Sequence, residues 1–349
     1  MTYREAAKIL GISPASLSLI LNNKPGISQE MRERVLGKID ELGMNDLCKR
    51  VRGSTTASKK QGNIGFMIYK KANELLEINP FFLLIVENME AKAKSFGYDL
   101  SITIFQANEP LKPQIEKANA MNVGGFIIFA TEMEADDLDV VKNIKKPLVM
   151  LDNDFSVSDV SCVSINNRMG TYKAIEYLAS LGHKEVGYLK CRQRISSFRE
   201  RHAGYKQAAN ELNLKWDERN TFVLPYTEEE SYRVFLKELD AGRIPPSALI
   251  SDDDSCAFGA IRALKERGYR VPEDVSVIGY GDRPVCMLSQ PKLTTINIPK
   301  NSFGVEAVSV LLKKINGNSD GDPLTQRSRK VRIGTYLIVR DSAAAPRRN

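Results

Sequence analysis

Histidine, cysteine and tryptophan are scarce in this 349-residue chain, numbering two, five and one. His183 and His202 stand in unrelated contexts, and no GxSxG, P-loop, GxGxxG or metal-ligand spacing occurs. The residues therefore give no support to catalysis, a metal or a cofactor, and the chain is expected not to be an enzyme. Cys48, Cys162, Cys191, Cys256 and Cys286 are odd in number and without a CxxC pair. That argues against a disulfide framework or zinc site and for a reducing compartment. No apolar run approaches the roughly 20 residues of a membrane span, and the N-terminus, charged from Arg4, has no signal core. A cytoplasmic location without a membrane partner is the expectation.

What is present is a large apolar fraction, 42% of residues, enough to bury the cores of two or three compact units. Charge is uneven. Residues 1–60 hold eleven Lys/Arg against six Asp/Glu, most of the net +7. A basic N-terminal sixth ahead of a nearly neutral body points to a nucleic-acid head on a separate domain, against the blander reading of a solvated basic surface.

Within that head, Tyr3 to Leu10 carries Ala6, Ile9 and Leu10 at helical spacing, and Gly11 breaks the run. Ser13 offers an N-cap oxygen, and Pro14 takes the first helical position, where its missing N–H costs nothing. A second helix follows to Leu21, with Leu17, Ile20 and Leu21 available for packing. This is the helix-turn-helix pattern, whose second helix enters the major groove. A third helix is expected from the Ser28 cap to Leu42, burying Met31, Val35 and Ile39. Residues 46–61 are polar and basic and read as a linker, in which Lys49, Arg50 and Arg52 either track phosphates or are simply solvated.

From Asn63 onward short apolar strands alternate with amphipathic helices, from Ile64–Tyr69 to Ser276–Tyr280. Near-continuous apolar strands of this kind imply parallel sheets covered on both faces. Two such blocks suggest two doubly wound lobes with a cleft at the strand ends.

The segments YREAAKILGISPASLSLILNNKPGISQEMRERVLGKIDELG, INNRMGTYKAIEYLASLGHKEVGYL, RHAGY, SDDDSCAFGAIRAL, VPEDVSVIGYGD and LTTI, with NPFF and FGYDL, follow one order along nearly the whole chain. Together they resemble the LacI/GalR family of bacterial transcription regulators. The resemblance implies an α/β fold: a three-helix helix-turn-helix head at 1–45, a hinge at 46–61, and a two-lobed, periplasmic-binding-protein-like core at 62–342. It places lobe 1 at about 62–162 and 292–325, and lobe 2 at about 163–291 and 326–342, with Val331 to Val339 as a strand of lobe 2. It further implies a homodimer on a near-palindromic double-stranded DNA operator, with a small effector in the cleft. The tail AAAPRRN shows no heptads for a tetramerising coiled coil.

By the same resemblance, Pro14, Ala15, Ser18 and Leu19 are base-facing. Ala15 and Leu19 are suited to thymine methyls and Ser18 to a base or phosphate, with no bidentate guanine reader; the alternative for Leu19 is packing inward or at the dimer face. Ser13 caps the helix, while Ser16, Asn22 and Lys24 fit phosphate contacts. In the cleft, Asp152, Arg201 and Asp253 match effector-binding positions. Phe81, Phe82 and Tyr226 are candidates to stack on a ring, and Asp282 and Arg199 complete the set. The pocket Asp of the family's GYDD turn is Gly281 here, and Lys190–His202 is rich in arginine. Losing a carboxylate while gaining guanidiniums favours an anionic, sugar-like effector, with a solvated loop as the competing reading. Two other readings stay open: a core that docks a protein co-repressor, and a sugar-binding protein with a vestigial head.

The family's hinge Leu, which wedges into the minor groove, is replaced here by Gly53. The operator is accordingly expected to bend little on binding. A sharp central bend in a gel-shift phasing assay, lost on changing Leu47 or Val51, would contradict this.

Overall fold

The computed structural model describes residues 3–21, 26–41, 61–71, 81–193, 195–320 and 327–347. Two compact units divide between Gln61 and Gly62. The linker residues Lys49, Arg50 and Arg52, and Asn22 and Lys24 of the head, lie outside the described residues.

The first unit contains helices α1 (Tyr3–Leu10), α2 (Pro14–Leu21) and α3 (Gln29–Glu41). Ala6, Ala7, Leu10, Leu17, Ile20, Val35 and Ile39 form its buried core. Ile9, expected inside from its spacing, is exposed, and Ala7 takes the inner position. Small residues there let the three short helices approach closely. Arg32 Nη1 donates to the Ile20 carbonyl at 3.2 Å, satisfying a carbonyl in the last turn of α2.

The second unit holds two six-stranded sheets. The first orders β11 (Lys330–Ile333), β5 (Ser161–Ile165), β4 (Leu148–Leu151), β3 (Phe126–Phe129), β1 (Gly62–Lys70) and β2 (Tyr98–Gln106), all parallel. The second orders β12 (Tyr336–Ile338), β10 (Thr294–Asn297), β9 (Ser276–Gly281), β8 (Ala248–Ser251), β6 (Gly187–Cys191) and β7 (Thr221–Leu224), with only β12 antiparallel. Helices Phe81–Ser95 and Lys300–Asp320 pack together on the first sheet, and pairs such as Asn167–Ser180 with Ser196–Glu211 cover the second. One buried cluster runs from Phe66 and Ile127 of the first sheet to Tyr188, Ile278 and Ile296 of the second.

The lobe boundaries differ from those expected. Ser161–Ile165 is a strand of the first sheet, so the first crossing falls after Ile165. Thr294–Asn297 belongs to the second sheet beside β9, and the chain returns to the first lobe only with the helix that begins at Lys300. The stretch expected as one lobe-2 strand, Val331 to Val339, is two strands in two sheets, broken at Gly334 and Thr335. Strand pairing decides these points: each short segment carries enough apolar character for either sheet, and only its neighbours assign it. Between β3 and β4 the helical segment is short, a 3-10 turn Ala135–Asp137 followed by Leu138–Val141.

Gly204 sits where the Ser196–Glu211 helix crosses the start of its neighbour. A side-chain carbon there would stand 2.5 Å from the Arg168 carbonyl oxygen, a backbone atom with little room to yield. Gly204→Ala should therefore destabilise the chain by about 1–3 kcal/mol despite its better helix propensity, read as a lower urea midpoint at unchanged slope.

Candidate nucleic-acid interface and effector cleft

In the head, Ser13 caps α2 as expected, its Oγ accepting from Ser16 N–H at 3.0 Å and lying 2.9 Å from Ser16 Oγ. Because Leu17 and Ile20 turn inward, helical periodicity leaves Pro14 and Ala15 exposed and Ser16 and Ser18 half-buried. Leu19 is also half-buried, beside Gly26, so it is neither a core residue nor a fully presented one.

In the core, a cleft of about 360 Å³ opens where the strands of both sheets end at their carboxyl edges. Its first-lobe wall is built on Phe82, Phe129, Thr131, Asp152 and Ile165. Phe82 meets Phe129 edge-on, centroids 5.5 Å apart, and stacks on Phe66 behind at 5.7 Å. Asp152 follows β4 in a left-handed conformation, φ 68°, a backbone state that Asp tolerates better than most residues. Thr131 Oγ1 donates to its carboxyl at 2.6 Å. Burial pushes the Asp152 carboxyl up to about 6, against the opposing pull of the Thr131 bond and the Arg201 charge.

The opposite wall carries Phe198, Arg201, Tyr226, Asp253, Asp282 and Arg283. Arg201 is buried: its Nε donates to Asn167 Oδ1 at 2.9 Å and its Nη1 to the Asp252 carbonyl at 2.5 Å. Its guanidinium carbon lies 3.8 Å from the Tyr280 ring centroid. The Asp252 side chain turns away from the cleft, accepting from Tyr188 Oη at 2.5 Å and Cys191 N–H at 2.8 Å, and burial raises it to about 7. Asp253 caps the following helix through Ser255 N–H at 2.8 Å and pairs with Arg283 at 3.2 Å. Asp282, left-handed like Asp152, pairs with Arg340 at 2.7 Å.

Thus Phe82, Asp152, Arg201, Tyr226, Asp253 and Asp282 come together in one cleft. Arg199 does not. One helical step from Phe198 it faces a separate hollow beside Asp154, Phe155 and Glu200, exposed to solvent. Residues i and i+3 share a helix face, so Phe198 and Arg201 reach the cleft and Arg199 cannot. The Phe81 side chain lies outside the described residues. Among the described residues, the expected arginine cluster of Lys190–His202 contributes Arg201 to the cleft, and the other cleft cations are Arg283, Lys300 and Arg340. Thr131 and Arg283 were open to discovery from the sequence, since each follows an apolar parallel strand at its ligand-binding end. Lys300 and Arg340 gave no local signal.

The periplasmic binding protein-like domain model matches residues 175–343. The HTH-type transcriptional repressor PurR of Pasteurella multocida is 29% identical over 323 residues, 91% of this chain and 93% of that protein. The chain superimposes on the transcriptional regulator CelR in complex with cellobiose at a TM-score of 0.71, with 23% identity over 98% of this chain and 99% of that one. A lac repressor dimer bound to operator and the anti-inducer ONPF gives 0.69 at 21%, covering 99% of each chain. Along nearly its whole length the chain is similar to these repressors, and it shares the fold of the lac repressor. These relatives are repressors and regulators, not enzymes. Among the described residues no helix is long and apolar enough to cross a membrane.

In the cleft, the buried Asp152 carboxyl sets a pH-dependent cost to stability. Its folded pKa stands above the roughly 3.9 of an unfolded Asp, so the fold favours the protonated form. The resulting penalty grows as pH rises from about 4 to about 6 and is constant above that. Asp152→Asn mimics the protonated form and suits the left-handed backbone. It should stabilise the chain by on the order of 2 kcal/mol at pH 8, with the gain vanishing towards pH 4, in chemical unfolding across that range.

Proposed function

We propose that this LacI-family chain is a homodimeric repressor whose two heads read a near-palindromic operator, and that a small, polar, sugar-like and anionic effector in the cleft tunes operator affinity. The observation that carries this reading is the pairing, in one chain, of an outward-facing Pro14–Ala15 edge on α2 with a cleft bearing polar groups on both walls and aromatic rings between them. Phe82 and Phe129 on one wall and Phe198 and Tyr226 on the other suit the faces of a ring. Asp152 and Asp253 suit its hydroxyls.

In the head, Ala15 and Leu19 supply apolar contacts to thymine methyls, Ser18 a short polar one, and Ser16, Asn22 and Lys24 hold phosphates. Lys49, Arg50 and Arg52 add sequence-blind attraction from the linker. With no long side chain reading guanine, each head discriminates modestly, and specificity comes from pairing two half-sites. The operator in the lac repressor complex and the cellobiose in the CelR complex support these two partner classes.

Selection from a random duplex library should return an inverted repeat. Affinity for it should fall about a thousandfold or more between 50 and 200 mM salt if six or more phosphates are contacted. Ala15→Glu should abolish selection while leaving thermal unfolding of the chain unchanged, since the position is exposed. Salt-insensitive or absent DNA binding would instead mark a sugar-binding protein with an idle head. Operator binding that requires a second protein while the cleft takes no ligand would mark a docked co-repressor.

A further inference from the structure

Five scattered cysteines without a CxxC suggest no pairing in the sequence, yet the fold brings two of them into contact. Cys191 ends β6, and Cys256 lies in the first turn of the helix Asp254–Glu266. Both are buried, 2% and 0% exposed, and their sulfurs stand 3.1 Å apart. That is about 1 Å more than the roughly 2.05 Å of a disulfide bond. Cys256 Sγ–H donates to the Pro225 carbonyl at 3.3 Å, so the hydrogen between the two sulfurs belongs to Cys191. Cys162 and Cys286 meet Lys330 and Asp254 instead of a second sulfur.

Loss of both thiol hydrogens would leave no buried acceptor stranded. The Pro225 carbonyl also accepts Ser231 Oγ–H at 2.5 Å, so it stays satisfied without Cys256. The pair adjoins the second-lobe wall of the cleft from two elements. Cys191 N–H holds the Asp252 carboxylate at 2.8 Å, and Cys256 sits in the helix that Asp253 caps. Tyr226 directly follows Pro225 and lines the cleft with Asp253. A bond between the sulfurs would span 65 positions of chain. A cross-link over so long a loop removes freedom from the opened forms of that wall.

We propose that Cys191 and Cys256 form a redox modification site, at which hydrogen peroxide converts the two thiols to a disulfide that stiffens the second-lobe wall of the cleft. One sulfur takes an oxygen as the O–O bond breaks, giving a sulfenic acid and one water. The other thiol then displaces that oxygen, and the S–S bond forms as a second water leaves. The two sulfurs give up two electrons to the peroxide, and both thiol hydrogens end in water. A small thiol reverses the step by exchange. Burial and the neighbouring sulfur hold the Cys191 thiol well above its ordinary range, so little thiolate is present near neutral pH. The site therefore answers sustained rather than brief oxidant, and faster as pH rises. Taking the cleft as the effector site proposed above, a stiffened wall also changes operator affinity.

The test treats the full chain with hydrogen peroxide, then unfolds, alkylates and digests it without reductant. A peptide pair joined through Cys191 and Cys256, short of two hydrogens, should appear, and dithiothreitol should return both thiols. Amide exchange at Tyr226 and in the first turn of Asp254–Glu266 should slow about tenfold or more in the oxidised chain. Cys256→Ser treated alike should show neither the joined pair nor the slowing. If that variant does not fold, Cys191→Ala replaces it, and mapping of the unaltered chain decides by itself. The proposal is overturned if both thiols still alkylate in full, if either sulfur joins another cysteine, or if oxidation runs on to sulfinic or sulfonic acid. A disulfide that forms without slowing exchange overturns it too. Operator affinity, measured on the selected repeat, separates the two readings. A shift of about fivefold or more on oxidation, reversed by dithiothreitol, supports redox control of repression, and no shift with operator binding intact removes it. Failure of both forms to bind DNA removes the operator reading and leaves the disulfide to be judged by mapping and exchange.

Discussion

The cleft depends on one buried guanidinium. Arg201 joins Asn167, just past the first crossing between lobes, to the Asp252 carbonyl beyond β8, and lies over Tyr280 on β9. A buried cation is costly unless its donors are met and opposite charge is near. Here Asp252, Asp253 and Asp152 supply the field, and the backbone and Asn167 supply the acceptors. The arrangement draws three separate strand ends to one point. Its cost is borne by the carboxyls: Asp152 and Asp252 are both held above the usual carboxylate range because they share this dry interior.

The same economy appears in the backbone. Asp152 and Asp282 are both left-handed, each directly after a strand, one in each lobe. Strain of this kind persists where the surroundings over-determine it, and it turns a side chain off the strand direction towards a ligand. Asp152 is anchored by Thr131, and Asp282 by Arg340 and Asn297. Both carboxyls are therefore held at the cleft by partners within the fold.

A two-lobed core with three chain crossings also lets a ligand at the strand ends touch both lobes at once. Any molecule that touches both walls favours whichever lobe arrangement fits its own length. A ligand shifts an equilibrium only by such differential contact.

Much of this was legible in the chain. The Ser13–Pro14 start of α2, the alternation of apolar strands and helices, and Asp152, Arg201, Tyr226 and Asp253 as cleft residues all follow from local pattern or from motifs resembling the family. Local chemistry suffices there, because caps, periodicity and strand-end positions are short-range. What the sequence left open was settled by pairing and packing. Ser161–Ile165 and Thr294–Asn297 are short strands that fit either sheet by composition, and only their hydrogen-bonded neighbours place them. Arg199 and Arg201 look equivalent in a basic stretch, yet two residues along a helix turn through about 200°, which separates solvent from cleft. Arg283, Lys300 and Arg340 converge from segments up to 57 residues apart in number, which no local window relates. The sequence by itself determined the fold class, the head and the location of a ligand cleft; the tertiary structure alone decided the charge balance within that cleft, because charge balance is a property of neighbours in space.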